Sequence, residues 1–261
     1  MRLLALALIA ALAACGGGAP APEVSSRSVS TLSLPFGDYE PHPWTGRAPW
    51  HYNVHGVDVS KWQGDIDWQR VRGSGVSFAF IKATEGGDHL DDRFAQNWRA
   101  AGAAGVPRGA YHFYYFCRTA NEQAEWFIRN VPKERGAMPP VLDMEWNHKS
   151  RNCPQRPGAE VVRAEMQVFI SRVSRHYGQT PVVYTTPDFF HENELWRLPK
   201  VAAFWLRSVA AHPSVIYPGQ EWRFWQYTGT GMVPGISGKA DINAFGGSPG
   251  QWQAWLAQHR L

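Results

Sequence analysis

The sequence lacks the features that mark several large classes of protein. It has no run of Lys and Arg, although its formal net charge is +4, and this argues against nucleic-acid binding. Its 10 histidines are scattered, with no pair at metal-ligand spacing beside an acid. No glycine-rich phosphate loop follows a predicted strand, and no repeat of solenoid period is present. We therefore expect neither a metal nor any other cofactor.

The N-terminus contains an apolar run, residues 3–12, that is too short to span a bilayer after processing. It ends in Leu12-Ala13-Ala14-Cys15-Gly16, which resembles a bacterial lipoprotein signal, with residues 1–14 as the signal peptide and Cys15 as the lipidated residue. The alternative is an ordinary secretory signal with an incidental cysteine. The lipoprotein interpretation predicts an exported protein whose only membrane contact is its lipid. Gly16 after the cysteine indicates the outer membrane, facing the periplasm.

The other two cysteines, Cys117 and Cys153, would then lie in an oxidising compartment, and we expect them to form a disulfide. The alternative is two free buried thiols. Residues 15–50 are predicted to be a Gly/Ala/Pro/Ser-rich tether followed by a proline-broken lead-in whose aromatics lie against the domain. Residues 51–261 form the remaining domain, which we expect to be a monomer.

Eight strand-like segments alternate with helical patterns through this domain. The segments are Gly56–Ser60, Phe78–Ala83, Gly109–Tyr115, Val141–Glu145, Val182–Thr185, Ala203–Val209, Arg223–Tyr227 and Ala240–Asn243. Helical patterns fill the first five gaps, but the later gaps are too short for a crossover helix, which needs about a dozen residues. The pattern predicts an α/β fold in which a parallel sheet closes into an irregular TIM-like barrel. It would have eight strands and about five helices, (β/α)5(β)3, with a further helix from Pro249 to the C-terminus.

Two acids stand one residue apart in the fourth predicted strand, in the segment Pro140-Val-Leu-Asp143-Met-Glu145. Side chains alternate along a strand, so Asp143 and Glu145 share a face, with Cα atoms about 6.6 Å apart. Hydrolysis of glycosidic bonds uses such pairs, one acid protonating the leaving oxygen and the other managing charge at the anomeric carbon. The alternative is a pair of strand-end acids that form salt bridges with their neighbours.

Further acids fall in or just after other strands. Asp58 lies in the first strand, Glu85 just beyond the second, and Asp241 in the eighth. The first and last strands of a closed barrel are neighbours, so Asp58 and Asp241 should approach each other. Barrel enzymes work at the C-terminal ends of their strands. The distribution of the acids therefore predicts a hydrolase with a carboxylate-lined cleft.

The order of motifs resembles the glycoside hydrolase family 25 lysozymes, which are N-acetylmuramidases. The resemblance covers about residues 51–246. Its main blocks are His55-Gly-Val-Asp58-Val-Ser-Lys61-Trp62-Gln63-Gly64, Phe80-Ile-Lys82-Ala-Thr84-Glu85-Gly86, Gly109-Ala-Tyr111-His112-Phe113, Pro140-Val-Leu-Asp143-Met-Glu145, Val183-Tyr184, Trp225-Gln226-Tyr227 and Asp241-Ile-Asn243.

The resemblance implies a role for each of the four acids. Glu145 matches the general acid, which later activates water. Asp143 matches the partner that orients the 2-acetamido group of the substrate for attack on the anomeric carbon, with retention. Asp58 and Asp241 match acids on the cleft floor that position Asp143 or sugar hydroxyls. The implied substrate is the glycan strand of peptidoglycan, cut at the β-1,4 bond between N-acetylmuramic acid and N-acetylglucosamine.

Four further side chains are candidates for sugar contact, namely Tyr114, Tyr184, Trp225 and Glu85. Packing is the alternative for the aromatics. Tyr111 and Tyr114 lie on opposite faces of the third strand, so at most one of them faces the barrel interior. His112 is predicted to be a hydrogen-bonded core residue. The sixth strand departs from the family pattern, since Arg207 and its neighbours stand where the family commonly has a small residue and an aromatic.

Two other functions fit part of this pattern. One is a lipoprotein that binds peptidoglycan without cutting it, against which the presence of all four acids argues. The other is a different acetamido-sugar hydrolase of chitinase type. The longer Asp-x-x-Asp-x-Asp-x-Glu pattern expected in that class is absent, because Pro-Pro-Val-Leu precedes Asp143.

Overall fold

The computed structural model describes residues 36–147, 150–199 and 201–261, which form a barrel of strands with helices packed around it. The predicted lipoprotein signal, Cys15 and the first part of the predicted tether lie outside the described residues. Within the described ranges, no helix combines the length and apolar character that crossing a membrane requires.

The described residues contain ten strands and seven α-helices. The strands are β1 (Gly37–Asp38), β2 (His55–Val59), β3 (Val76–Glu85), β4 (His89–Leu90), β5 (Arg108–Phe113), β6 (Val141–Met144), β7 (Val182–Thr185), β8 (Ala203–Arg207), β9 (Phe224–Met232) and β10 (Ala240–Phe245). The helices are α1 (Trp68–Gly73), α2 (Phe94–Ala103), α3 (Ala120–Asn130), α4 (Ala159–Tyr177), α5 (Pro187–Glu192), α6 (Pro213–Ile216) and α7 (Pro249–His259).

The eight predicted strands form the barrel, and the two-residue strands β1 and β4 are additions to it. Strands β2, β3, β5, β6, β7, β8 and β9 pair in parallel in that order. The prediction of a parallel sheet is wrong for β10, which runs antiparallel to both β9 and β2. Only residues 233–239 join β9 to β10, and a connection this short returns the chain as a hairpin instead of a crossover.

Helices α1 to α5 fill the first five crossovers, as the (β/α)5(β)3 pattern predicted. The sixth crossover holds only the four-residue helix α6, and α7 is the expected terminal helix. The predicted capping box of α3 is present, with Thr119 Oγ1 accepting from the Glu122 backbone N–H at 3.3 Å and the Glu122 carboxylate accepting from the Thr119 backbone N–H at 2.9 Å. Helix α4 ends at Gly178, whose φ of 75° lies in the left-handed region that favours glycine.

Helix α7 closes one end of the barrel with two tryptophans. Trp252 packs against Phe78 and Phe245, with ring centroids 5.2 and 5.1 Å apart, and Trp255 packs against Phe224 at 5.1 Å. These rings belong to a buried cluster inside the barrel, separate from the larger layer between strands and helices. The floor of the barrel is therefore solid, and only the opposite mouth remains open.

The interior face of the strands changes from apolar to polar in its last layer. Phe80, Trp205 and Phe224 are fully or almost fully buried in the barrel. Two residues further along the same strands stand Lys82, Arg207 and Gln226, and these line the open mouth. Because side chains two apart in a strand share a face, the same pleat that builds the core also presents the polar side chains.

The proline-broken lead-in is attached to the barrel. Strand β1 pairs antiparallel with β9, through Gly37 opposite Met232 and Asp38 opposite Gly231. The ring of Trp44 meets that of Trp225 edge-on at 5.3 Å, as expected for aromatics lying against the domain.

The predicted disulfide is confirmed, and the Cα atoms of Cys117 and Cys153 are 5.5 Å apart. It joins the segment after β5 to the segment after β6. The bond thus ties together two loops that follow neighbouring strands at the open mouth.

Candidate active site

The open mouth of the barrel contains a cleft of about 300 Å³. All four acids that the sequence singled out as catalytic, Asp58, Asp143, Glu145 and Asp241, line it. Asp58 and Asp143 are on strands that run toward this mouth, and Glu145 directly follows β6. Asp241 is at the start of β10 and reaches the same mouth because β10 runs the other way, which places it directly opposite Asp58 in the ladder.

Asp58 is buried and accepts hydrogen bonds from two side-chain amides. Asn243 Nδ2 donates to its Oδ2 at 2.8 Å, and Gln226 Nε2 donates to the same oxygen at 3.0 Å. Burial raises the pKa of Asp58 to about 6, and the hydrogen bonds from Asn243 and Gln226 offset part of this rise. The carboxylate is therefore ionised at neutral pH, with both amides committed to it as donors.

Two aromatic donors fix the orientation of these amides. Trp205 Nε1 donates to Asn243 Oδ1 at 2.7 Å, and Tyr184 OH donates to Gln226 Oε1 at 2.9 Å. An amide oxygen that already accepts from a tryptophan or tyrosine turns its NH₂ group toward Asp58. The result is a network in which the NH₂ groups of both amides point toward the Asp58 carboxylate.

Asp143 and Glu145 form a coupled pair of acids. Burial, followed by the neighbouring charge of Glu145, raises the pKa of Asp143 well above its ordinary value. Burial also raises the pKa of Glu145, to about 7, against the opposing charges of Arg207 and Lys82. Two such carboxyls cannot both ionise readily, so the pair retains a proton near neutrality. Asp143 Oδ1 is buried and has no hydrogen-bond partner among the described residues.

The residue after Glu145 anchors the end of β6. The indole of Trp146 is buried, and its ring centroid lies 4.6 Å from that of Phe189 in α5. Trp146 Nε1 also donates to the Glu192 carboxylate at 2.7 Å. Because the ring is packed and hydrogen-bonded, the backbone of Glu145 is fixed while its side chain remains partly exposed in the cleft.

Three comparisons with known proteins bear on this geometry. A profile of the glycosyl hydrolases family 25 matches residues 57–236. Lysozyme M1 of Streptomyces globisporus is 36% identical over 202 residues, which are 75% of this chain and 68% of that protein. The chain belongs to glycosyl hydrolase family 25.

Solved structures from the family have the same barrel. A family 25 glycosyl hydrolase from Bacillus anthracis superposes with a TM-score of 0.71 at 35% identity, covering 84% of this chain and 98% of that one. A bacterial lysozyme from Streptomyces coelicolor gives a TM-score of 0.69 at 34% identity, covering 79% and 98%. The protein is thus a glycoside hydrolase, and its carboxylate-lined cleft is the candidate active site.

Two aromatics predicted to contact sugar lie away from the cleft of this family 25 hydrolase, which corrects those predictions. Tyr114 is buried behind the barrel wall, and its OH donates to the Glu165 carboxylate at 2.7 Å. Tyr111, on the opposite face of the same segment, lines the cleft instead. Trp225 is fully buried on the outer face of the barrel wall, where its Nε1 donates to the backbone carbonyl of Ser208 at 2.7 Å.

The other two candidates for sugar contact differ in position. Tyr184 lines the cleft. Glu85 lies beside it, in an adjacent groove that it shares with Tyr115 and the disulfide, which corrects its placement in the main site. Its carboxylate accepts from Lys82 Nζ at 2.6 Å, so it holds the lysine that does line the cleft.

His112 is a core histidine, as predicted. Its Nδ1 lies 2.7 Å from Thr84 Oγ1 and its Nε2 lies 3.1 Å from Gln123 Oε1. Burial lowers the pKa of the ring to about 4, so the histidine is neutral. It therefore supports the barrel wall and takes no part in the cleft.

Several residues of the family 25 cleft have site roles that were not predicted from the sequence. Gln226 and Asn243 hold Asp58, and both stand within motifs already noted for the resemblance. Trp62 lines the rim with 80% of its surface exposed. A tryptophan this exposed beside acids has no packing role. The sequence does not reveal how exposed a side chain is, and from the sequence alone Trp62 could equally have packed over the end of the barrel.

We predict that the raised pKa values make the folded protein less stable as pH rises. In the folded protein Glu145 holds its proton up to about pH 7, whereas in the unfolded chain it loses this proton near its ordinary pKa. The stability that the group contributes below its ordinary pKa is therefore lost as the pH rises through about 7. Replacing Glu145 with Gln should therefore stabilise the protein at pH 8 by about 1–3 kcal/mol and by much less at pH 4.5.

Urea unfolding at both pH values, with the free energy of unfolding as the readout, tests this prediction. Glu160→Gln is the matched control, because Glu160 is exposed at the start of α4. Equal effects of the two substitutions at both pH values would show that Glu145 is not held protonated by the fold.

Proposed function

We propose that this protein is a lysozyme-type peptidoglycan hydrolase that cleaves the β-1,4 bond between N-acetylmuramic acid and N-acetylglucosamine. The observation that carries the proposal is the pair Asp143 and Glu145, which both line the cleft of a family 25 hydrolase, where burial raises the pKa of each. Relatives named as lysozyme or muramidase, from Streptomyces globisporus among others, support this substrate class.

The first step requires the proton to be on Glu145. Asp143 Oδ1 has no partner among the described residues, so it is available to accept from the acetamido N–H of a bound muramic acid. That hydrogen bond favours the ionised form of Asp143 and leaves the shared proton on Glu145. Substrate binding thus sets the two acids to different protonation states.

The bond then breaks with participation of the substrate. The acetamido oxygen attacks the anomeric carbon while Glu145 gives its proton to the departing O4 of N-acetylglucosamine, and the product is a cyclic oxazolinium. Glu145, now ionised, takes a proton from water, and the water oxygen opens the ring at the same carbon. Two displacements at one carbon leave the anomer retained.

The remaining cleft residues position the sugar. Ionised Asp58 is held by Asn243 and Gln226, so it presents a fixed acceptor to sugar hydroxyls or to Asp143. Burial and the charge of Asp58 raise the pKa of Asp241 well above its ordinary value. Trp62 offers an exposed ring face at the rim, against which a pyranose can stack.

We further propose that the protein is exported and lipid-anchored through Cys15, at the outer membrane and facing the periplasm, where a monomer would reach the wall. The sequence Leu12-Ala13-Ala14-Cys15-Gly16, which lies outside the described ranges, supports this proposal. Fractionation of cells that express the wild type or Cys15→Ser tests it. A substituted protein that stays with the membrane would contradict the anchor.

The main prediction concerns Glu145. Glu145→Gln should lower the release of reducing ends from purified peptidoglycan by at least about a hundredfold, because general acid catalysis is lost, while binding to the wall persists. Reducing-end analysis of the fragments should find muramic acid, whereas N-acetylglucosamine ends would identify a different hydrolase. Glu160→Gln is again the control, and sedimentation with peptidoglycan measures binding.

A pure binding protein would give no reducing ends with the wild type. Full activity in Glu145→Gln would remove this residue from the mechanism.

The second prediction concerns stereochemistry. Acetamido participation gives the β-anomer as the first product, so ¹H NMR of a digest in the first minutes should show the β-anomeric signal before mutarotation. An initial α-anomer would instead indicate direct attack by water and inversion.

A further inference from the structure

Arg207 is the last residue of β8 and stands at the rim of the cleft. It is two residues beyond Trp205, whose ring is buried in the barrel, and therefore shares its inward face. Its backbone is paired opposite Gln226 in β9, and its side chain is exposed and lines the cleft. The guanidinium is thus directed into the site and accessible to a bound molecule.

The two cations that line the cleft differ in their partners. Lys82 Nζ is 2.6 Å from the Glu85 carboxylate, in an ion pair, and lies over the ring of Phe113. The guanidinium of Arg207 forms no ion pair and no hydrogen bond with any other described residue, and Tyr217 OH donates at 2.6 Å to the backbone carbonyl of Arg207 and not to its side chain. Its five donors are therefore free in the described part of the structure.

None of the nearby described acids forms an ion pair with Arg207. Arg207 is close enough to oppose the pKa rises of Asp58, Glu145 and Asp241. Even so, burial keeps the pKa of Asp241 well above its ordinary value. An arginine that has no ion-pair partner in the described part of the structure retains a positive potential toward the open cleft.

Arg207 lies two strands to one side of Asp143 and Glu145, the proposed catalytic pair. Asp143, Tyr184 and Trp205 are in register across β6, β7 and β8, and Glu145 and Arg207 each follow two residues later. The two side chains therefore leave the barrel at the same level, with about 10 Å between their strands. A sugar whose bond reaches Glu145 would carry its neighbouring substituents toward Arg207.

We propose that Arg207 is a specificity-determining residue that binds a carboxylate of the glycan strand. This inference rests on the proposed function, because peptidoglycan carries carboxylates that neutral acetamido-sugar polymers lack. The carboxylate comes from the lactyl group of muramic acid where the stem peptide is absent, or from the stem peptide itself. A guanidinium binds a carboxylate through two parallel hydrogen bonds, which suits discrimination between charged and neutral strands.

The test compares Arg207→Gln with Arg207→Lys and a control, Arg99→Gln. Arg99 is exposed on α2 and does not line the cleft, so its substitution changes net charge alone. KM and kcat are measured on intact peptidoglycan and on glycan strands freed of stem peptides. Arg207→Gln should raise the KM about tenfold on at least one of these two substrates and change kcat less. Arg207→Lys should reverse part of this rise in KM, and Arg99→Gln should have the KM and kcat of the wild type.

Binding measurements separate recognition from any effect on the acidity of Glu145. Two proteins are compared, one with Glu145→Gln alone and one with Glu145→Gln and Arg207→Gln. Calorimetry measures the Kd of each for three ligands, namely a stem-free muramic acid tetrasaccharide, a stem-bearing one and chitotetraose. The second substitution should weaken binding of an anionic ligand about tenfold and leave that of neutral chitotetraose unchanged. Loss confined to the stem-free ligand identifies the lactyl carboxylate, and loss confined to the stem-bearing ligand identifies the peptide.

Equal weakening for chitotetraose, or no weakening for any ligand, would overturn the proposal. Failure of the wild type to release reducing ends from peptidoglycan would instead refute the proposed function, since the binding comparison does not depend on turnover.

Discussion

The antiparallel pairing of β10 with β2 is the constraint on which the site depends. It closes the barrel, so every barrel strand has two neighbours and no edge is left in the ring. It also sets Asp241 opposite Asp58 and carries Asn243 to the Asp58 carboxylate. The chemistry at the mouth is therefore held together by backbone hydrogen bonds between the first and last strands of the ring.

Collecting four acids in one cleft works against folding, because each carboxyl loses water as it is buried. The protein meets this cost in two ways. Asp58 stays ionised because Asn243 and Gln226 donate to it, with Trp205 and Tyr184 behind them. Burial raises the pKa of the other acids, that of Glu145 to about 7. The same desolvation thus weakens the fold and raises the pKa of the acids in the cleft.

Much of the fold and the position of the acids followed from local patterns in the sequence. Apolar runs located the eight barrel strands, and gap lengths located the missing helices. The direction of β10 did not follow, because hydrophobic periodicity is the same for either strand direction. Tyr114 and Trp225 were misplaced for a related reason. Barrel strands are apolar on both faces, so alternation does not reveal which aromatic faces inward, and only the register with neighbouring strands decides it.

Arg207, Gln226 and Trp62 illustrate a second limit. The role of each in the site depends on its neighbours in the folded protein. The sequence does not show which charged or amide side chain lacks a partner, or how much of an aromatic ring is exposed. Gln226 is a site residue because its amide accepts from Tyr184 and donates to Asp58, two contacts that its position in the sequence does not reveal.

The tryptophan-filled floor under the cleft has a mechanical consequence. A polymer cannot thread through a barrel whose lower end is blocked by Trp252 and Trp255. A glycan strand must lie across the rim and dip toward the acids at a single linkage. No free chain end is needed for such an approach, so the geometry suits attack in the middle of a cross-linked mesh, followed by release of both fragments sideways.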